Sequence, residues 1–207
     1  MKKQADPAHG KELLILDAAQ QRFAAGGYSK STMDEIANDV GMSKASLYYY
    51  FATKEAVFRA VVLREQKEFL LRADAIISGK MPARDKVMRY ILLRIELSEQ
   101  LMNLDRFDRV AWYDVHPVFT DLFLSFAHDE ERCLLGILRE GTAAGEFAIT
   151  RPKQTAAMIL HVLQGLRLRL VKMTTHGSQT EAGKREWRDE ALLFAETILN
   201  GMTTTTA

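Results

Sequence analysis

Residues 32–51, TMDEIANDVGMSKASLYYYF, contain two helix starts that are separated by a glycine turn. Thr32 is followed three residues later by Glu35, which is the capping-box pattern: the hydroxyl accepts from a backbone N–H, and the carboxylate reaches back to the cap. Gly41 permits a sharp turn, and Ser43 can cap a second, short helix. A helix, a glycine turn and a short helix together form the helix-turn-helix plan.

Helices are also predicted on both sides of this motif. A first helix covers about Gly10–Ala25 and ends at Gly26-Gly27, which suits a left-handed cap. A further helix begins at Lys54, with Thr53 as its cap, and carries apolar residues at helical spacing. The capped starts at Thr32 and Thr53 would offer backbone N–H groups and positive dipole ends to phosphates.

The short helix, Lys44–Phe51, has an unusual exposed face for its length. Only Leu47 and Phe51 are expected to be buried, so serine, lysine, alanine and tyrosine residues remain for the outer face. Small side chains let the backbone approach base edges, and serine, lysine and tyrosine can donate hydrogen bonds to bases or phosphates. The face therefore suits the major groove of DNA. The alternative is that the three adjacent tyrosines pack as an aromatic patch between small helices.

The rest of the chain has helix composition, and we predict an all-α fold. Three of the four prolines, which stand at positions 7, 82, 117 and 152, start long segments with helical periodicity. One segment carries spaced apolar residues from Phe119 onward, a second covers Pro152 to about Met173, and a third covers about Lys184 to Asn200. Residues 174–183 are rich in Thr, Gly, Ser and Gln and are expected to form a loop.

Composition limits the class of protein. The 207 residues are 47% hydrophobic, which is enough for a substantial core, and the 28 basic residues nearly balance the 27 acidic ones. The first 60 residues are also almost neutral, with eight basic and seven acidic residues. A single cysteine and the lack of an apolar run of eighteen residues favour a cytoplasmic protein that is neither exported nor inserted in a membrane.

Catalytic and metal-binding motifs are missing from the sequence. It contains no G-x-S-x-G, CxxC, HExxH or P-loop pattern, and its five histidines show no close ligand spacing. Cys133 lies at an apolar helical position and is expected to be an inert, buried thiol. We therefore predict a protein that is not an enzyme and that uses no metal or cofactor.

Residues from about Lys11 to Val62 resemble the N-terminal DNA-binding domain of the tetracycline-repressor (TetR) family in order and spacing. The residues that carry the resemblance are Ile15-Leu16-Asp17-Ala18-Ala19, Phe23, Gly27-Tyr28, Thr32, Ile36-Ala37, Gly41, Ser43-Lys44, Leu47-Tyr48-Tyr49-Tyr50-Phe51, Lys54 and Glu55. The resemblance implies a three-helix helix-turn-helix DNA-binding domain over residues 9–69, with its motif at about 32–51. A larger helical effector-binding and dimerisation domain would follow over residues 70–207.

The resemblance also implies roles for individual positions. Contacts with phosphates would come from Thr32, Tyr48, Tyr50 and Lys54, while the groove would be faced by Lys44, Ala45, Ser46 and Tyr49. In many relatives a histidine stands where Tyr50 does, so a phosphate contact there depends on the phenol reaching the same oxygen. The full set of expected DNA contacts is Thr32, Ser43, Lys44, Ala45, Ser46, Tyr48, Tyr49, Tyr50 and Lys54.

Aromatic residues in the second half could line an apolar cavity in which tyrosine and tryptophan supply polar groups. The alternative is that they form ordinary core. The candidates are Phe107, Trp112, Tyr113, Phe119, Phe123 and Phe126.

Four polar residues are further candidates for ligand contact. Arg94 lies in an apolar stretch and could meet an anionic group, although a surface position is the alternative. His116 precedes Pro117, where we expect a helix break, and could instead bond a nearby carbonyl. His161 and Gln164 lie in the segment that starts at Pro152, where they could belong to a pocket wall or to a dimer seam.

The partners follow from the resemblance. It implies a homodimeric regulator, most often a repressor, that binds double-stranded operator DNA and is released by a small apolar or amphipathic effector. The dimer would form through the two C-terminal helices, at about residues 152–173 and 184–200. The competing hypothesis is a helical adaptor that binds another protein through the tyrosine-rich short helix.

Overall fold

The computed structural model describes the backbone of residues 7–100, 109–174 and 181–203, and the side chains of residues 9–96, 120–166 and 185–203. Helices account for nearly all of the described backbone, so the all-α prediction is confirmed. Within these ranges the helices are α1 (Pro7–Gly26), α2 (Met33–Val40), α3 (Lys44–Tyr50), α4 (Lys54–Ile77), α5 (Ala83–Gln100), α6 (Arg109–Ala143), α7 (Pro152–Thr174) and α8 (Glu181–Met202).

The chain divides into two compact units. The first contains the residues up to Gln66 together with the N-terminal part of α6, up to Leu122. The second contains residues 67–100 and everything from Phe123 onward. Both α4 and α6 begin in the first unit and end in the second. The expected domain boundary after residue 69 stays a prediction.

An aromatic cluster forms the centre of the first unit. The ring of Phe23, from α1, lies 5.2 Å from that of Phe58, from α4, in an edge-to-face arrangement. Tyr28, from the turn after α1, completes the cluster with its ring 5.0 Å from that of Phe58. Edge-to-face pairs of this kind add stabilisation to the burial of apolar area. The cluster therefore joins α1, α4 and the turn that leads into α2.

The core of the second unit contains packed aromatic rings and one close approach between α5 and α6. Phe69 packs edge-to-face against Phe126, with ring centroids 5.4 Å apart. A Cβ atom at Gly141 would lie 2.3 Å from the ring of Phe147 and 2.7 Å from the Cβ of Ala83. Glycine is therefore required at this position of α6, because a larger residue would displace a buried ring.

Two expectations about element ends are wrong. α6 runs without interruption from Arg109 through Pro117 to Ala143, so His116 does not lie at a helix break. Proline removes one backbone hydrogen bond at a cost of about 3 kcal/mol, but its own φ is helical, so a helix can continue through it. The expected loop over residues 174–183 is also too long, because Thr174 belongs to α7 and Glu181 already begins α8. None of the described helices has the length and apolar character needed to cross a membrane.

Candidate nucleic-acid interface

The predicted capping box at the start of α2 is confirmed. The backbone N–H of Glu35 donates to Oγ1 of Thr32 over 3.2 Å, and the backbone N–H of Thr32 donates to Oε2 of Glu35 over 2.9 Å. The Thr32 hydroxyl also donates to the same carboxylate oxygen, at 2.9 Å. The two bonds that Thr32 donates to the carboxylate lower the pKa of Glu35 below its ordinary value. A contact between the Thr32 hydroxyl and a phosphate would therefore require the hydroxyl to turn away from Glu35.

The turn between α2 and α3 depends on a left-handed glycine. Gly41 has φ 69°, and its N–H donates to carbonyl groups in the last turn of α2. Ser43 then caps α3, because its Oγ accepts from the backbone N–H of Ser46 at 3.1 Å. The hydroxyl oxygens of the two serines lie 2.8 Å apart. The predicted glycine turn and serine cap are thus both confirmed.

α3 buries little of its surface, as predicted. Leu47 and the C-cap residue Phe51 are buried, whereas Tyr49 has 84% of its surface exposed. The rings of Tyr49 and Tyr50 meet edge-to-face at 5.4 Å, and Tyr50 is half-buried. The alternative of three tyrosines packed between helices is therefore wrong. The exposed residues of the helix are Lys44, Ala45, Ser46, Tyr48 and Tyr49.

Lys54 is held by the turn that precedes α2. Its Nζ donates to the carbonyl oxygens of Tyr28 and Ser31, at 3.0 and 3.1 Å, and lies 4.2 Å from the centre of the Tyr28 ring. Partial burial lowers the pKa of Lys54. Two of the three ammonium N–H groups are used in these bonds. Lys54 therefore positions the start of α4 against the turn, independently of any contact that it makes with DNA.

Tyr28, which lies in this turn, is one of the residues that carry the family resemblance, although the resemblance implies no role for it. The hydroxyl of Tyr28 donates to Oε1 of Glu55 at 2.9 Å, and burial raises the pKa of this phenol well above its ordinary value. Tyr28 and Glu55 therefore fasten the turn to α4 alongside Lys54. The adjacent pairs Gly27-Tyr28 and Lys54-Glu55 were the available signal, but they are 27 residues apart and only the fold brings them together.

Four basic side chains among the described residues of the first unit pair with acidic ones. Nζ of Lys44, on α3, lies 2.8 Å from Oδ1 of Asp34, on α2. Equivalent pairs join Arg22 to Asp39 at 2.6 Å, Arg59 to Asp121 at 2.6 Å, and Arg64 to Asp17 at 2.7 Å. Hydrogen bonds from Arg22 and Arg59 lower the pKa values of Asp39 and Asp121 respectively. Paired opposite charges therefore contribute to the near neutrality of this unit.

The second unit contains a mostly buried polar cluster around Arg94. Its side chain is 12% exposed and pairs with the carboxylate of Glu130, which is 5% exposed, so the surface position is wrong. The buried hydroxyl of Tyr90 donates to the same carboxylate at 3.3 Å, and burial raises the pKa of this phenol. Sequence reasoning missed Tyr90 and Glu130, which lie 40 residues apart.

The remaining ligand candidates are scattered or lie outside the described side chains. Phe126 is buried against Phe69, Phe123 is half-buried, and both His161 and Gln164 are exposed on α7. Phe107 lies outside the described residues. The side chains of Trp112, Tyr113, His116 and Phe119 also lie outside the described part, although their backbone belongs to α6.

The remaining groups of chemical interest among the described residues are one thiol and the side chains of metal-binding type. Cys133 is a buried thiol, and burial raises its pKa. Among the described residues, no three His, Cys, Asp or Glu side chains are placed to hold a metal ion together.

Comparison with known proteins places these features in a family. The family model described as bacterial regulatory proteins, tetR family, matches residues 15–61. A solved transcriptional regulator from Cytophaga hutchinsonii is 35% identical, with a TM-score of 0.82 over 94% of this chain and 100% of that one.

Two curated proteins of Bacillus subtilis are also similar. The fatty acid metabolism regulator protein is 24% identical over 171 residues, which cover 83% of this chain and 80% of that protein. The uncharacterized HTH-type regulator YhgD is 30% identical over 86 residues, which cover 42% of this chain and 45% of that protein. Because the helix-turn-helix matches the family model and a transcriptional regulator is similar over its whole length, the chain belongs to the TetR family of transcriptional regulators.

Proposed function

We propose that this chain is a repressor that places α3 in the major groove of a specific operator. TetR-family regulators bind operator DNA, usually as dimers and usually as repressors, and they are not enzymes. The observation that carries the proposal is the outer face of α3, where Ala45 and Ser46 leave room for base edges and Tyr49 projects into solvent. The protein would act in the cytoplasm, where bacterial operator DNA lies.

The DNA contacts divide into two groups. Lys44, Ser46 and Tyr49 would read bases in the groove, while Tyr48 and Lys54 would contact phosphates on either side of it. Backbone N–H groups at the capped starts of α2 and α4 would bind phosphates as well. In a dimer, the two copies of α3 would have to match half-sites about 34–36 Å apart, or a multiple of that distance.

Tyr49 and Lys54 test this division. A duplex selected by the wild-type protein from a random-sequence pool serves as the specific probe, and a mixed-sequence duplex of equal length as the non-specific one. Tyr49→Ala should change which bases are preferred, and Lys54→Met should weaken binding to both duplexes alike. Leu14→Ala, an exposed substitution on α1, is the matched control. The assignment is wrong if neither variant binds differently from the control.

We also propose that the dimer forms through α7 and α8. Support comes from large apolar side chains that the single chain leaves exposed, namely Met158 on α7 and Leu193 on α8. Leu193→Lys should shift the protein to monomers in analytical ultracentrifugation, because it places a charge in the apolar seam. Leu124→Lys is the matched control, since Leu124 on α6 has the same exposed fraction, 65%. If both variants sediment like the wild type, α8 does not belong to the dimer interface.

The effector would be an apolar or amphipathic molecule held in the second unit. The polar cluster of Arg94, Glu130 and Tyr90 lies near apolar core, since Tyr90 and Phe126 each contact Phe69. A molecule with one polar end could bind to such a cluster by replacing one of its internal bonds. Effector binding would favour a separation of the two recognition helices that no longer fits the operator. The coupling would be about 1–3 kcal/mol and must act equally in both directions.

Native mass spectrometry of the purified dimer tests the effector proposal. A small molecule that co-purifies with the protein should leave when the selected duplex is added, and the double variant Arg94→Met/Glu130→Leu, which leaves neither member of the buried pair without the other, should reduce its occupancy. If a co-purifying molecule is retained equally with and without the duplex, the two sites are not coupled.

A further inference from the structure

Lys44, at the start of α3, forms an ion pair with Asp34 of α2. Nζ of Lys44 lies 2.8 Å from Oδ1 of Asp34 and 3.0 Å from Oδ2, so both carboxylate oxygens contact one ammonium group. The lysine side chain is 61% exposed and the aspartate 58%, so the core does not require this pair. Hydrogen bonding to Asp34 raises the pKa of Lys44, which stays charged. An exposed pair is therefore present on the helix that would face DNA.

The position of Asp34 is fixed by its own helix. It lies in the first turn of α2, between the cap residue Thr32 and the capping-box residue Glu35. α2 and α3 are held together by the Gly41 turn and by buried residues that include Leu47. The carboxylate can therefore limit where the long, flexible lysine side chain goes.

Sequence-independent binding to DNA depends on how many phosphates the protein neutralises. Each lysine or arginine that reaches a phosphate releases condensed counterions and adds about 0.9 to the salt slope. A lysine that is held by a carboxylate contributes less of this binding. It can still donate to a base edge with a remaining N–H, because an ammonium group has three of them.

We infer that Asp34 is a specificity-determining residue that positions Lys44: it keeps the ammonium directed at the groove and withholds it from phosphates of arbitrary sequence. The inference rests on the proposed function, since it requires α3 to bind DNA. Asp34 would weaken binding to random DNA and leave binding to the operator nearly unchanged. The low net charge of the first unit would then serve the discrimination between sequences.

Asp34→Asn tests the inference by fluorescence anisotropy with the selected and the mixed-sequence duplexes. Binding to the mixed-sequence duplex should rise about eightfold per subunit near 0.1 M salt, and its salt slope should steepen by about 0.9 per subunit. Binding to the selected duplex should change less than twofold, so the ratio of the two affinities falls. Asp34→Glu keeps the charge and should restore wild-type behaviour.

Two controls separate positioning from net charge. Asp17→Asn removes one exposed acidic charge from the same unit, but its partner is Arg64 on α4. It should leave the ratio of affinities near the wild-type value. In the double variant Asp34→Asn/Lys44→Met, the gain on mixed-sequence DNA should disappear, because it acts through Lys44.

The outcomes are distinguishable from those of the proposed function. If the wild type binds neither duplex, the proposed function fails. If the wild type binds but Asp34→Asn behaves like Asp17→Asn, or if its gain survives in the double variant, Asp34 acts only as a general charge and the inference is overturned. Thermal unfolding of each variant should stay close to that of the wild type, since exposed pairs contribute little to stability.

Discussion

The ion pairs described in the first unit lie at the surface, whereas the second unit contains, besides surface pairs such as Arg132–Asp129, one pair that is covered on both sides. Asp34 and Lys44 are both more than half exposed, whereas Arg94 and Glu130 are almost completely covered. A surface pair is worth little and can exchange its partner, because water solvates both groups when it opens. A covered pair can open only when another polar or charged group takes the place of the lost partner, because otherwise a charge is left in an apolar environment. The same residue types are therefore suited to binding DNA in one unit and to fixing helix packing in the other.

The largest effect should come from Glu130→Ala. The variant removes the carboxylate from a mostly buried guanidinium, so the free energy of unfolding should fall by about 3 kcal/mol or more. Denaturant unfolding measures the change. The double variant Arg94→Met/Glu130→Leu should recover most of the loss, because neither charge of this pair then remains buried without the other. A loss below about 1 kcal/mol for Glu130→Ala would contradict the difference between the two units.

The pair between Lys86 and Glu140 should respond unequally to removal of either partner. Lys86 is 4% exposed and donates to both carboxylate oxygens and to the carbonyl of Ile77, whereas Glu140 is 47% exposed. Lys86→Met leaves a solvated carboxylate and should cost about 1.5–2 kcal/mol. Glu140→Ala leaves a covered ammonium and should cost more, about 3 kcal/mol. Denaturant unfolding that gave the opposite order would show that burial does not set the cost.

A surface pair of the first unit should matter little for stability. Asp17→Asn breaks the pair with Arg64 and should lower the free energy of unfolding by at most about 1 kcal/mol. The difference should shrink further at about 1 M salt, because exposed charges are screened. Thermal unfolding at low and high salt measures it. A loss as large as that expected for Glu130→Ala would erase the distinction between exposed and buried pairs.

The smallest effect is a pH dependence at Asp39. Hydrogen bonds from Arg22 lower the pKa of Asp39 below its ordinary value of 3.8. A carboxyl with a lowered folded-state pKa stabilises the fold above pH 3.8 and loses that contribution as pH falls through the folded value. Because the group is exposed, the contribution is a fraction of about 1 kcal/mol. Asp39→Asn should therefore lower stability slightly at pH 7 and converge with the wild type at lower pH, and identical curves would contradict the assignment.

Features that depend on neighbouring residues could be predicted from the sequence. The Thr32–Glu35 capping box, the Gly41 turn and the Ser43 cap each involve residues at most five positions apart, and all are present. Contacts between side chains that are far apart in the sequence could not be predicted. The bonds from Lys54 to the carbonyls of Tyr28 and Ser31 span more than 20 residues, and tertiary packing decides them.

Polar residues in apolar segments were the least predictable part of the site. Arg94 was compatible with a ligand contact or a surface position from its own helix alone. Its partner Glu130 belongs to another helix, 36 residues away, and no local pattern identifies it. Pro117 is a second example. The missing backbone N–H of proline predicted a helix break at this position, but α6 continues through it.

The salt dependence of wild-type binding to the selected duplex tests the central claim most directly, namely that an almost neutral unit recognises DNA through α3. If three to four phosphates are neutralised per subunit, the logarithm of the binding constant of a dimer should fall with the logarithm of salt concentration with a slope of about −5 to −7. The mixed-sequence duplex should bind much more weakly at every salt concentration. A slope near zero, or equal affinity for both duplexes, would contradict the account.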